Sequence, residues 1–336
     1  MSIPKFNPNK KVFIIAEIGN NHEGNFIIAK KLIKAAANTG VDAVKFQTFI
    51  TKDFISAEHP SFERLKKFEF THQQFLKLKK FAQKQKLNFI STPLDFLSAN
   101  FLKKNCKIIK IASGDNNFYD LINIFLDYKK KLIISTGMMN YDNIEYLIKF
   151  IFKKKGKRFL KNNLSLLHCI SSYPAEDKSL NLMSINYLAD KYKEISIGYS
   201  DHSVGYDACV TAVALGARII EKHFTLSNSF SNFRDHKLSL NPIDMEIMVK
   251  KIRKVEIQLG KYEKLIGKNE KKIISLTRRS MMAKKSVNKN ETMTFRNTSF
   301  LRPEHKGSEI INEILNKKRT IKNLSPKELI KNKFLY

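Results

Sequence analysis

The chain has 336 residues, of which 43% are hydrophobic and 27% charged, proportions of a soluble globular protein with ample core-forming side chain. No stretch approaches the roughly 20 uninterrupted apolar residues of a membrane span. The basic start, 1–11, leads only into the apolar run 12–16, too short for a secretory h-region; a cytoplasmic protein is expected. A net charge of +30 would suit nucleic acid, but the lysines lie in small scattered groups such as 153–155 and 250–251, with no nucleic-acid-binding motif. Anionic small molecules are therefore the expected partners.

Short β-type runs recur at 12–16, 43–46, 88–90, 108–111, 132–134, 164–167, 195–197 and 218–220. Strands buried on both faces read as continuous apolar runs, and helical periodicity fills the gaps between them. Ile28, Leu32, Ile33, Ala35 and Ala36 form a stripe ending at Gly40, a suitable glycine just past a helix end. Phe75, Leu78, Phe81 and Ala82 form another. Asp142 or Asn143 can cap a helix carrying Ile144, Leu147, Ile148 and Ile151, and Asn241-Pro242 opens one carrying Met245, Met248, Val249 and Ile252. Eight alternating units predict a (β/α)8 TIM barrel over 1–260. After Gly260 the alternation stops. A charged linker is expected over 261–274, then a small β-rich domain, 275–336, with strand-like stretches 279–287 and 293–302 joined by a turn at 288–291. Phe295 and Phe300 in that domain call for burial.

A barrel collects its chemistry at the carboxyl ends of its strands, and most runs here lead into polar residues. Lys45, Thr92, Lys110, Ser113, Ser135 and Ser200 would offer cationic and hydroxyl donors suited to a phosphate or carboxylate. His202 and His223 end consecutive strands, so their imidazoles can converge on a divalent ion and leave positions open for water and substrate; Asp201, Glu221 and Asp235 lie beside them in sequence. Glu17 ends the first strand, where a carboxylate can accept a proton, and His22 and Glu23 of the loop that follows can fix that loop. The cysteines, Cys106, Cys169 and Cys209, are odd in number and form no C-x-x-C pair, so they suggest neither a disulfide framework nor a thiolate zinc site.

The strings AEIGNNHEG (16–24), VKFQT (44–48), STP (91–93), KIASGD (110–115), STGM (135–138), LLHC-x-x-x-YP (166–174), GYSDHS (198–203) and ALGARIIEKHFT (214–225) resemble the sialic acid synthase family. RRSMMAKKSV (278–287) and LRP (301–303) resemble its C-terminal antifreeze-like, or SAF, domain. The resemblance implies a domain-swapped homodimer of (β/α)8 barrels that joins phosphoenolpyruvate to an N-acetylated amino sugar, giving a nonulosonic acid and phosphate. N-acetylmannosamine, yielding N-acetylneuraminate, is the expected acceptor; a 2,4-diacetamido sugar, yielding legionaminate or pseudaminate, is the alternative. Carried over by position, Lys45, Thr92, Lys110, Ser113, Ser135 and Ser200 would hold phosphoenolpyruvate, and His202 and His223 would bind Mn2+ or Mg2+. Glu17, Gln47, Tyr173 and Asp235 would face the sugar or the reacting water, and Arg302 would reach the sugar's N-acyl group from the other subunit.

The chain departs from the family pattern in places. Asp115 stands where many members have glutamate, one methylene longer, at a catalytic position. Ser171 replaces a common asparagine that would contact phosphoenolpyruvate. Phe233-Arg234 replaces Gly-Pro before Asp235, bringing bulk and charge to the sugar pocket. The loop 50–71 is shorter than in many relatives, and Asn290 takes the place of a turn glycine, a left-handed position that asparagine tolerates. The rival from another class is a basic barrel that binds nucleic acid without catalysis; steeply salt-dependent binding without phosphate release would mark it.

Overall fold

The computed structural model describes residues 11–126, 130–310 and 317–336; most of the basic N-terminal segment, 1–10, lies outside them. Eight strands, β1 (Phe13–Gly19), β2 (Ala43–Thr48), β3 (Asn88–Pro93), β4 (Ile108–Ile111), β5 (Lys131–Ser135), β6 (Leu164–Cys169), β7 (Ser196–Asp201) and β8 (Ile219–His223), pair in chain order. All the pairings are parallel, and β8 returns to β1 to close a barrel. None of the described helices is long and apolar enough to cross a membrane.

The first crossover helix, Phe26–Asn38, is capped by the Asn25 side chain and buries Ala29, Leu32, Ile33 and Ala36. It ends as the sequence predicts, with Gly40 at φ 82°. The helix Tyr141–Asn163 is capped two or three residues earlier than expected: Asn140 accepts from the Asn143 backbone N–H, and the Asn143 side chain returns the bond. The loop 50–71 holds two short helices, Thr51–Phe54 and Phe62–Phe68.

Strand side chains alternate between two environments, which decides the chemistry. Outward residues such as Ile14, Ala16, Val44, Ile109, Ile134, Leu166 and Ile220 pack into a continuous core that includes the helices. Inward residues Phe13, Ile15, Ala43, Ile90, Ile108, Ile133, Leu167 and Ile219 form a separate apolar cluster. A Cβ on Gly198 would lie 2.4 Å from the Ile219 carbonyl oxygen and 2.6 Å from Leu167 Cδ2, so only glycine fits at that inward position of β7. Counting two residues onward from these plug positions reaches Glu17, Lys45, Thr92, Lys110, Ser135, Cys169, Ser200 and Glu221. Each strand thus places one polar or thiol side chain above the floor, to which β1 gives two apolar residues, β7 only Gly198, and each other strand one.

Asp201 has the opposite parity to its neighbours Ser200 and His202, and the structure places it on the outward side with Lys222. This corrects the sequence reading that set Asp201 beside the imidazoles. Lys222 Nζ lies 2.7 Å from Asp201 Oδ2, and both side chains are completely buried. Lys222 also donates to the Ser203 carbonyl at 2.5 Å, while Asp201 Oδ1 accepts from Tyr199 Oη at 3.0 Å, Ser203 N at 2.9 Å and Ser203 Oγ at 2.7 Å. The pair staples β7 to β8 one residue before each imidazole. Lys222→Met is expected to lower unfolding stability by about 3–5 kcal/mol, because it leaves a buried carboxylate without its cation. Asp201→Asn combined with Lys222→Met should cost less than the two single changes added together. Denaturant titration checks both; strict additivity would show that the pair is not coupled.

The chain divides after Gly260 into two compact units, 1–260 and 261–336. The segment expected as a linker contains the helix Lys268–Thr277. The second unit has a two-stranded antiparallel sheet, β9 (Ser280–Ala283) with β10 (Thr298–Leu301), and isolated bridges such as Val287 to Leu324 and Thr292 to Arg319. These strands are shorter than the sequence suggested because single-residue bridges replace continuous ladders. Met281, Ala283, Val287, Met293, Leu324 and Ile330 form its core, with Phe300 packed against them. Phe295 is 71% exposed. Asn290 takes the left-handed turn conformation, φ 68°.

Candidate active site

At the carboxyl end of the barrel, an open-mouthed cavity of about 100 Å³ is lined by Glu17, Lys45, Gln47, Lys110, Ser113, Ser135, Cys169, Tyr173, Ser200, His202, Glu221, His223, Arg234 and Asp235, with Ala112. Both lysines and both imidazoles expected to converge therefore share one site. Lys45 Nζ is 3.0 Å from Glu17 Oε2 and 3.4 Å from Glu221 Oε1, and Lys110 Nζ is 3.5 Å from the same Glu221 oxygen. Lys110 also donates to Ser135 Oγ at 2.7 Å, and Ser200 Oγ donates to Glu221 Oε1 at 3.0 Å.

The electrostatics follow from this arrangement. Burial works against the charge on Glu221, but Lys110, Lys45 and the Ser200 hydroxyl outweigh it and hold its carboxyl below the ordinary range. Glu17 is equally buried and has one lysine partner; burial raises its carboxyl, opposed by Lys45 and reinforced by Glu221. Burial also opposes the Lys45 charge, yet its two carboxylate neighbours lift its pKa above the usual lysine value. Lys110 lies on the other side of that balance, lowered by burial and by Lys45 against the pull of Glu221. The site thus holds a fixed anion between two cations and a second carboxyl able to exchange a proton near neutrality.

His202 and His223 face each other, with ring centroids 5.5 Å apart. Burial lowers the pKa of both, and His223 is pushed down further by His202 and Lys45, so both rings are neutral. His202 Nδ1 lies 2.7 Å from the Ile170 carbonyl oxygen, which leaves Nε2 as the ring's lone-pair nitrogen. His223 Nδ1 is buried without a hydrogen-bond partner. Two neutral imidazoles with available lone pairs fit a divalent cation whose other positions go to water and substrate oxygen. No group of three or more metal-ligating side chains occurs among the described residues. Tyr173 packs against His202 at a tilt of 31° with centroids 4.0 Å apart, and the Arg234 guanidinium lies over the tyrosine ring at 5.0 Å.

Three hydroxyls, Thr92 Oγ1, Ser113 Oγ and Ser171 Oγ, are buried without a hydrogen-bond partner, a state that buried polar atoms seldom keep unless a ligand satisfies them. A Cβ on Gly137 would meet Ser171 Oγ at 2.3 Å and Ser113 Oγ at 2.6 Å, so these two hydroxyls close on one point. Thr92, Ser171 and Asp115 do not line the cavity itself, whereas Ser113 does. Burial raises the carboxyl of Asp115 in the short helix Ser113–Asp115. Arg302 belongs to the second unit and is exposed. Glu221, the residue through which both lysines are joined, received no individual role from sequence reasoning; its parity with Ile219 and His223 is the signal that marks it as inward. His22 fixes its own loop: it stacks on Phe70 at 4.2 Å and accepts from the Gly24 N–H at 3.0 Å, and burial lowers its pKa to about 3.

Fold and site together define a TIM-barrel enzyme with paired lysines, paired carboxylates and paired imidazoles at its mouth. The NeuB family profile matches residues 32–264, and the chain belongs to this family, that of the sialic acid synthases. It is 36% identical to the N,N'-diacetyllegionaminic acid synthase of Campylobacter jejuni, over 96% of this chain and 99% of that one. It is 34% identical to the pseudaminic acid synthase of the same organism, over 90% of each. Among solved structures, the N-acetylneuraminic acid synthetase of Leptospira borgpetersenii superposes with a TM-score of 0.74 at 35% identity, covering 82% of this chain and 95% of that one.

Proposed function

We infer that the protein is a cytoplasmic nonulosonic acid synthase condensing phosphoenolpyruvate with an N-acylated amino sugar. The observation that carries this reading is the meeting of Lys45, Lys110, Glu17, Glu221, His202 and His223 in one cavity. N-acetylmannosamine is the acceptor that the sequence resemblance implies, but the near-complete alignment with a synthase of N,N'-diacetyllegionaminic acid favours a 2,4-diacetamido sugar. His202 and His223 would hold Mn2+ or Mg2+, which when bound supplies Lewis-acid polarisation of the sugar aldehyde.

The remaining steps rest on this chain's own side chains. Lys45 and Lys110 neutralise the phosphate and carboxylate, with Ser113, Ser135 and Ser200 of the cavity wall supplying hydroxyls around them. C3 of phosphoenolpyruvate attacks the aldehyde carbon, and the aldehyde oxygen takes a proton from the Glu17 carboxyl to become a hydroxyl. Water adds at C2 and returns a proton to Glu17. The C2–O bond to phosphate then breaks, the C2 hydroxyl passing its proton to the departing phosphate, which leaves the 2-keto acid and inorganic phosphate. Glu221 keeps the lysines fixed throughout, so the positive field needs no rearrangement as charge moves. Gln47, Tyr173 and Asp235 face the acceptor, and proton handling falls to Glu17 rather than to Asp115.

The C-terminal unit reads as a SAF domain that delivers Arg302 to the partner barrel of a domain-swapped homodimer; the exposure of Phe295 and Arg302 in one chain supports this. Arg302→Ala is expected to raise the acceptor KM by about tenfold, the value of one charged hydrogen bond, and to leave the phosphoenolpyruvate KM unchanged. Equal shifts in both would count against that delivery. Gly137→Ala should weaken phosphoenolpyruvate binding by roughly 10- to 100-fold, because it displaces the Ser113 and Ser171 hydroxyls; unchanged affinity in a calorimetric titration would free those hydroxyls of the role.

The deciding experiment offers the purified protein phosphoenolpyruvate, Mn2+ and a panel of amino sugars, and identifies the product by mass. Phosphate release should require both metal and acceptor and stop with EDTA. Release without an acceptor, or tight salt-dependent nucleic-acid binding with no release at all, would overturn the reading.

A further inference from the structure

We propose that Glu23 and His236 form a latch across the barrel mouth that positions Asp235 and Arg234 against the acceptor. The proposal rests on the condensation reaction inferred above. Glu23 lies in the loop after β1, and His236 in the short helix Asp235–Leu238 within the segment that follows β8. Glu23 Oε1 accepts hydrogen bonds from His236 Nε2 at 2.9 Å and from Ser231 Oγ. The other ring nitrogen, His236 Nδ1, meets Thr225 Oγ1 at 2.7 Å. His236 is completely buried, with the Phe230 and Phe233 rings 5.1 and 6.0 Å from its own.

Two features separate the latch from ordinary loop packing. Glu23 adopts φ 49°, a left-handed conformation that costs a residue with a side chain about 1 kcal/mol or more, and the two bonds to its carboxylate are what this conformation serves. Neither Glu23 nor His236 lines the cavity, whereas the two residues directly before His236 both do. Asp235 is largely buried, 3.3 Å from the Arg234 side chain, and Arg234 covers Tyr173. Fixing the ring of His236 from both sides therefore fixes where Asp235 and Arg234 stand. The loops are also tied independently of the latch: Asn21 Nδ2 donates to the Phe224 carbonyl at 2.9 Å and to Ser239 Oγ at 3.0 Å. Removal of Glu23 should loosen the segment around 231–236 and leave the barrel closed.

The test is steady-state kinetics of the full-length protein with phosphoenolpyruvate, Mn2+ and an acceptor that the unaltered enzyme turns over. Glu23→Ala and His236→Asn are expected to raise the acceptor KM by about tenfold or more and to hold the phosphoenolpyruvate KM within about twofold. Glu23→Gln keeps an accepting oxygen for both donors and should stay within about threefold of the unaltered enzyme. The latch is overturned if both KM values move together, or if Glu23→Gln and Glu23→Ala behave alike. If the unaltered protein turns over no sugar in the panel, the reaction reading fails instead. Amide hydrogen exchange over 225–240 then decides the latch: Glu23→Ala should speed it and Glu23→Gln should not, and unchanged exchange in Glu23→Ala would overturn it.

Discussion

Lys110→Met is expected to lower kcat/KM for phosphoenolpyruvate by about 10³-fold while the protein stays folded. The ammonium group is 2% exposed at the head of β4, bonded to Ser135 and facing Glu221. Methionine matches its length and apolar stem but withdraws one of two cations from the centre of the site. Loss of a single preorganised donor at a developing charge costs about 10²–10³ in rate, and here ground-state binding of a trianionic substrate is lost as well. Lys110→Arg should not rescue turnover, since the wide guanidinium needs space that Ser135 and Glu221 occupy. Glu221 retains Lys45 at 3.4 Å, so thermal unfolding should change far less than activity does. A kcat/KM within about tenfold of the unaltered enzyme would remove Lys110 from the substrate's charge balance.

His223→Ala is expected to lose bound metal and turnover together. With only two imidazoles at the mouth, removal of one leaves a single nitrogen ligand, and affinity for a divalent ion should fall by several orders of magnitude. Metal content by elemental analysis after dialysis against Mn2+ provides a readout independent of activity. His202→Ala should behave in the same way, because His202 already commits Nδ1 to the Ile170 carbonyl and has one nitrogen to offer. Full metal occupancy in His223→Ala, or turnover that persists in EDTA, would sink the assignment.

The barrel was legible because each strand is buried on both faces, and burial writes itself into sequence as an uninterrupted apolar run. The eight runs appear in the structure in the same order, within a few residues of the expected ends. Parity was harder to read. Asp201 and Glu221 both precede a histidine closely, but at different spacings: one residue before His202 and two before His223. Since side chains alternate, that single step sends Asp201 to Lys222 outside the barrel and Glu221 to Lys45 and Lys110 inside it. The helix Lys268–Thr277 was hidden for a different reason. Its apolar residues, Ile273, Ile274 and Leu276, sit at its C-terminal end and none is buried, so the lysine-rich first half read as linker. The reach of Glu23 across the mouth to His236 spans 213 residues of sequence, and no local pattern announces such a contact.

The apolar floor beneath Lys45 and Lys110 makes the barrel a blind well. Phe13, Ile15, Ile90, Ile108, Ile133, Leu167 and Ile219 stop it from below, so everything must come and go through one opening. A three-charge anion seated on the ammonium groups lies under whatever arrives next. On the proposed reaction, the enol ester is therefore expected to load before the sugar, and phosphate to leave after the finished acid, an order that product-inhibition kinetics would read directly.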